Sequence, residues 1–139
     1  MNQRELVLNA IAATGLMVLT GCSEKAESAP PAGVIPPATQ REGITFVADI
    51  KPIFDAACVE CHGGEKQKGG LRLDSREATL HGGDEGVIFE IGKSADSALV
   101  HSIARVGEED YWMPPIDKGE PLSLEQIALV RAWIDQGAK

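Results

Sequence analysis

Cys58-Val59-Glu60-Cys61-His62 is a C-x-x-C-H run. That spacing suits one chemistry well: two thiols that form thioether bonds to the vinyl groups of a haem, and an adjacent imidazole for the iron. One helical turn separates the sulfurs, so they project to one side and can hold one edge of a porphyrin while His62 is carried round beneath the metal. Three other uses of paired cysteines fit less well. A structural zinc site wants four ligands, and the chain has no second C-x-x-C and no closely spaced histidine pair. A thioredoxin-like redox pair belongs at the start of a helix in a βαβ pattern, which is not visible here. A disulfide between Cys58 and Cys61 would close a very tight loop.

Iron with one axial histidine has a second axial position, and whether that position is filled or open separates electron carriers from gas binders and peroxidases. Three candidates exist: His81, His101 and a methionine. Met1 and Met17 fall in the N-terminal leader, which leaves Met113, in Tyr111-Trp112-Met113-Pro114-Pro115. Two prolines after a methionine fix the backbone and remove amide donors, which suits a loop holding a thioether at a buried metal. Met113 is the expected distal ligand; its alternative is a methionine that plugs the core. His101 sits on a predicted helix beside Leu99 and Val100 and reads as a partly exposed surface residue. His81, beside Gly82-Gly83, reads as solvated loop.

The third cysteine has a different setting. Met1 to Thr20 carries Arg4, then a mostly apolar stretch from Leu6 to Leu19, then Leu19-Thr20-Gly21-Cys22. This resembles a bacterial lipoprotein signal cleaved before Cys22, whose thiol would receive diacylglycerol. The other reading is an uncleaved anchor with Cys22 incidental, but Asn9 and Thr14 interrupt a run already short for a bilayer span of roughly 20 residues. Either reading puts the rest of the chain on the periplasmic side of a bacterial membrane, and Ser23 in place of an Asp leans towards the outer membrane. The expected division is a signal over 1–21, a Pro/Ala-rich tether over 22–43 with Pro30-Pro31 and Pro36-Pro37, and one domain over 44–139.

Within that domain the apolar periods are helical. Phe46, Val47, Ile50, Ile53, Phe54 and Ala57 should line one face of a first helix, with Pro52 in a first turn that Asp49 caps, or at a kink. Ser75 should cap a short helix to Leu80, ended by Gly82-Gly83. A helix over Ser97 to Val106 would bury Leu99, Val100, Ile103 and Val106. Ser123 with Gln126 is a capping-box pattern ahead of Ile127, Val130, Trp133 and Ile134, with Gly137 to close the last helix. The fold class is all-α, wrapped on a single haem. Only three Phe, two Trp and one Tyr are available, so the porphyrin is expected to supply much of the apolar core.

Phe46-Val47-Ala48-Asp49-Ile50-Lys51-Pro52-Ile53-Phe54, the C-x-x-C-H run with Gly63, Gly69-Gly70-Leu71-Arg72-Leu73-Asp74-Ser75-Arg76, Trp112-Met113-Pro114-Pro115 and Trp133-Ile134-Asp135-Gln136-Gly137-Ala138 together resemble the planctomycete-type cytochrome c domain, over Phe46 to Lys139. The resemblance implies one covalent haem c on Cys58 and Cys61, proximal ligation by His62 and distal ligation by Met113. It also implies first and last helices that cross beside the haem, with Trp133 near the crossing. Arg72 and Arg76 are cationic candidates for the haem propionates.

The expected activity is single-electron transfer by a tethered carrier, with no catalysis of its own. A redox subunit of a larger periplasmic oxidoreductase is the alternative, and an open-site peroxidase or sensor is a third reading. Thirteen basic against twenty-one acidic residues give a net charge of −8. That balance argues against nucleic acid as a partner and favours a redox protein with a basic docking face.

Overall fold

Thr45 starts the helical domain of the computed structural model, which describes residues 30–139. Cys22 and the expected signal lie outside the described residues. The Thr45 hydroxyl accepts from the Ala48 N–H at 3.3 Å, and the Asp49 carboxylate accepts from the Thr45 N–H at 2.8 Å. These reciprocal bonds satisfy donors that a helix start leaves free. That Thr45 N–H, with the Arg41 guanidinium beside it, holds the Asp49 carboxyl below its usual range. Thr45 is therefore the cap, and Asp49 completes it from within the first turn.

The first turn, Phe46–Ile50, is π-helical, with the Lys51 N–H reaching the Phe46 carbonyl; α1 then runs Lys51–Ala57. Pro52 sits in the first turn of α1, directly after the π-helical turn. The wider turn breaks the 3.6-residue period, and Val47, expected on the buried face, is 76% exposed. Three further α-helices follow among the described residues: α2, Arg76–His81; α3, Ala98–Ile103; and α4, Leu124–Asp135. The described residues contain no β-strand, only isolated bridges between His62 and Gln67 and between Gly83 and Gly86. The all-α reading holds.

Side-chain caps set the helix starts. Ser75, Ser97 and Ser123 each accept from the N–H three residues on, and Gln126 completes the capping box at Ser123. α3 is shorter than its apolar pattern, because Arg105 adopts a left-handed φ of 55° that no helix can continue through. α4 closes with the Gly137 N–H on the Ile134 carbonyl and the Ala138 N–H on the Trp133 carbonyl, a Schellman arrangement.

Behind these helices lies an aromatic core. Trp133 is fully buried, its ring centroid 5.7 Å from Phe46 and 5.3 Å from Phe89, and Phe54 meets Phe46 edge-on at 6.1 Å. The Trp133 indole N–H and the Phe46 N–H both donate to the Lys139 carbonyl, at 2.9 and 2.6 Å. Phe46 and Phe89 thus pack on Trp133, with Phe54 behind Phe46, where the first turn meets α4.

The segment read as tether has a docked end. The Gly33 N–H donates to the Ala104 carbonyl at 2.9 Å, the Thr39 N–H to the Ala128 carbonyl at 3.2 Å, and Arg131 to the Pro36 carbonyl. Residues 33–43 therefore form a strap against α4 and the end of α3.

Truncating the central tryptophan would leave a large cavity and remove one of the two donors to the Lys139 carbonyl. Trp133→Ala should cost the holoprotein about 3–5 kcal/mol, measured by urea denaturation.

Candidate functional site

The C-x-x-C-H run leaves the end of α1 as a tight turn. The Cys58 and Val59 N–H groups both reach the Phe54 carbonyl, and the Cys61 and His62 N–H groups both return to the Cys58 carbonyl, at 3.0 and 2.9 Å. Gly63 follows where a Cβ would lie 2.5 Å from the Val59 carbonyl oxygen and 2.8 Å from its Cγ1. Only a residue without a side chain lets the chain pass that close behind His62.

No disulfide joins the two cysteines; Cys58 is buried and Cys61 half-buried. Burial pushes the Cys58 thiol up to about 12. A buried thiol in this setting is held in its neutral form. A thioether carries no such penalty, since it has no proton to lose.

His62 has its tautomer set by the backbone. Its Nδ1 lies 3.1 Å from the Lys68 carbonyl oxygen. A carbonyl can only accept, so Nδ1 carries the hydrogen and Nε2 keeps its lone pair for a metal. Burial also lowers the His62 pKa, which favours the neutral imidazole that iron requires.

Two adjoining cavities open beside this turn, of about 430 and 220 Å³. Cys61, His62 and Met113 line both, and Cys58 lines the smaller. Each site residue expected in the domain therefore meets the same crevice. Leu71 and Ile88 complete walls common to both cavities, and Leu99 and Ile103 of α3 line the smaller one. Sequence reasoning assigned neither Leu71 nor Ile88 a part in the site. The Val87-Ile88-Phe89 run was the available signal, with Val87 exposed, Ile88 against the crevice and Phe89 in the core.

Loop packing maintains the crevice. The Leu73 N–H donates to the His62 carbonyl and the Lys68 N–H to the Cys61 carbonyl, at 2.8 and 3.0 Å. On the opposite wall the Met113 N–H donates to the Ser102 carbonyl at 3.0 Å. The Met113–Pro114 peptide is cis. A Cβ on Gly83 would lie 2.5 Å from the Gly69 carbonyl oxygen, so two lining loops touch there backbone to backbone.

The alternative ligands lie elsewhere. His101 Nε2 donates to the Ala95 carbonyl at 2.8 Å, and His81 ends α2; neither lines the crevice. The arginines suggested for propionates are also committed elsewhere: Arg72 to Asp74 at 2.7 Å, and Arg76 to the Ala138 carbonyl at 2.5 Å. The cations that do line the crevice are Lys68 and Lys118.

These residues fit a c-type haem. One imidazole with a free Nε2, one thioether and two thiols surround a single crevice with aliphatic walls, within the roughly 300–1,000 Å³ range of small-molecule sites. Among the described residues, no group of three or more His, Cys, Asp or Glu side chains is placed to hold a metal ion by itself. No helix among them is long and apolar enough to cross a membrane.

Gly63→Ala should push the His62 turn away from the crevice and destabilise the holoprotein by about 1–3 kcal/mol. The yield of covalently bound haem, read by haem staining after denaturing electrophoresis, should fall with it.

Residues 58–117 match the family model described as Planctomycete cytochrome C. The match begins at the first cysteine of the C-x-x-C-H run and ends just past the Met113-Pro114-Pro115 loop. No curated protein and no solved structure matches the chain.

Proposed function

We propose, from the premise that residues 58–117 form a planctomycete-type cytochrome c domain, that this chain is a single-haem electron carrier with His62 and Met113 as its axial ligands. Haem c, held by thioethers at Cys58 and Cys61, would supply the one-electron Fe(III)/Fe(II) couple. The observation that carries the reading is that Cys61, His62 and Met113 line the same crevice, while His81 and His101 do not.

The chain's own residues divide the work. The Lys68 carbonyl fixes the ring of His62 and leaves Nε2 free. Ser102 holds the backbone of Met113 from the opposite wall. Leu71, Ile88, Leu99 and Ile103 exclude water, and a low-dielectric setting with a soft thioether favours the reduced state relative to bis-histidine ligation. Lys68 and Lys118 are the cations available to carboxylates at the crevice edge.

Transfer of electrons, without bond making at a substrate, suits this site, because both axial positions are accounted for by side chains. Acidic residues outnumber basic ones by twenty-one to thirteen, which supports a redox partner with a basic docking face. The lipoprotein-like leader supports an encounter on the periplasmic side of a membrane, with Cys22 as lipid anchor and the outer membrane favoured. An electron-accepting subunit of a larger oxidoreductase would use the same site in the same way.

Potentiometric titration of the holoprotein should give one one-electron wave. Met113→Ala should lower the midpoint potential and let carbon monoxide bind the reduced iron. Rapid carbon monoxide binding by the unsubstituted protein would instead point to an open-site sensor or peroxidase.

A further inference from the structure

Arg105 stands where glycine is the usual occupant. It follows the last turn of α3 with φ of 55°, its N–H on the Ser102 carbonyl and the next N–H, from Val106, on the His101 carbonyl. An L-residue is strained there and glycine is not. The side chain turns back onto the loop that carries Met113. Its Nη2 donates to the Pro114 carbonyl at 3.0 Å, and the guanidinium carbon lies 5.9 Å from the centroid of the Trp112 ring. Its Nε is buried without a hydrogen-bond acceptor. The left-handed backbone and the unsatisfied donor both raise the energy of this position. What offsets them is the grip of the guanidinium on residues 112 and 114.

The same short stretch holds the loop at two more points. Ser102 accepts from the Met113 N–H, and Gly107 accepts from the Trp112 indole N–H at 3.1 Å. Trp112, Met113 and Pro114 are thus each tied to the end of α3, and Pro114 is tied through a side chain alone. Prolines 114 and 115 have no N–H of their own with which to anchor the loop.

We infer that Arg105 is a positioning residue for the distal ligand: by fixing the Pro114 carbonyl and the Trp112 ring it keeps the Met113 thioether turned into the crevice. This rests on the proposed ligation by Met113. The guanidinium does not touch the iron. It acts by limiting how far the loop can swing, and so how readily an external ligand replaces the thioether.

Imidazole titration of the ferric holoprotein reads that property, after optical spectra have established the ligand. A methionine-to-iron charge-transfer band that disappears in Met113→Ala identifies Met113. A protein without that band before substitution overturns both the ligand assignment and the role of Arg105. With the band present, Arg105→Gly should bind imidazole about tenfold more tightly, the scale of one charge-assisted hydrogen bond. Its melting temperature should change little, because glycine relieves the backbone strain at that position. Arg105→Met, which removes the charge and the fork but keeps an apolar stem beside Trp112, should show the same gain. Unaltered imidazole affinity in either variant, with or without a change in melting temperature, overturns the positioning role and leaves Met113 ligation standing, since the band reports that separately.

Discussion

Both axial candidates sit on irregular backbone, and irregular backbone beside an apolar cavity must find hydrogen-bond partners outside any regular ladder. Much of the domain follows from that constraint. The Cys58 carbonyl takes two N–H groups from its own turn, and the His62 and Cys61 carbonyls are met by the N–H groups of Leu73 and Lys68. Ser102 meets Met113 from α3. Each wall of the crevice is therefore held by a neighbouring loop or helix end. The close backbone approaches at Gly63 and Gly83 are the steric cost of packing those loops tightly.

A second core lets the crevice walls be irregular. Trp133 with Phe46, Phe54 and Phe89 forms an aromatic cluster where the π-helical turn meets α4, and none of these four rings lines the crevice. The shortage of aromatics suggested that the porphyrin would supply much of the core. Phe46, Phe54, Phe89 and Trp133 are concentrated behind the site, while Tyr111 and aliphatic side chains from α3 and the loops face the crevice. Burial of this cluster ties the domain's first turn to its last helix, whatever occupies the crevice. The strap over residues 33–43 closes the remaining side of α4.

The legible features were those whose cause is local. Ser75, Ser97 and Ser123 announce helix starts because a hydroxyl satisfies an N–H three residues away, and all three do so here. The crevice residues Cys58, Cys61, His62 and Met113 were legible because their chemistry is unusual and their number small. The strap was not, because it binds through its own backbone carbonyls and amides to residues such as Arg131 and Ala128, and such bonds leave no pattern in the strap's side chains. Ser94 was silent for a similar reason: it accepts from Arg131 and donates to Asp135 at 2.8 Å, 37 and 41 residues away. The π-helical turn escaped notice because Phe46, Ile50, Ile53 and Phe54 satisfy a helical period, and only the exposed Val47 betrays the wider turn. Arg72 and Arg76, offered as propionate candidates, pair with acceptors their own types do not announce, the Asp74 carboxylate and the Ala138 carbonyl.

X-ray absorption at the iron edge of the purified holoprotein tests the central claim most directly. His62/Met113 ligation predicts one sulfur scatterer in the iron's inner coordination shell, with five nitrogens, in both oxidation states. An inner shell of nitrogen and oxygen alone would contradict it, and would show that Met113 lines the crevice without binding the metal.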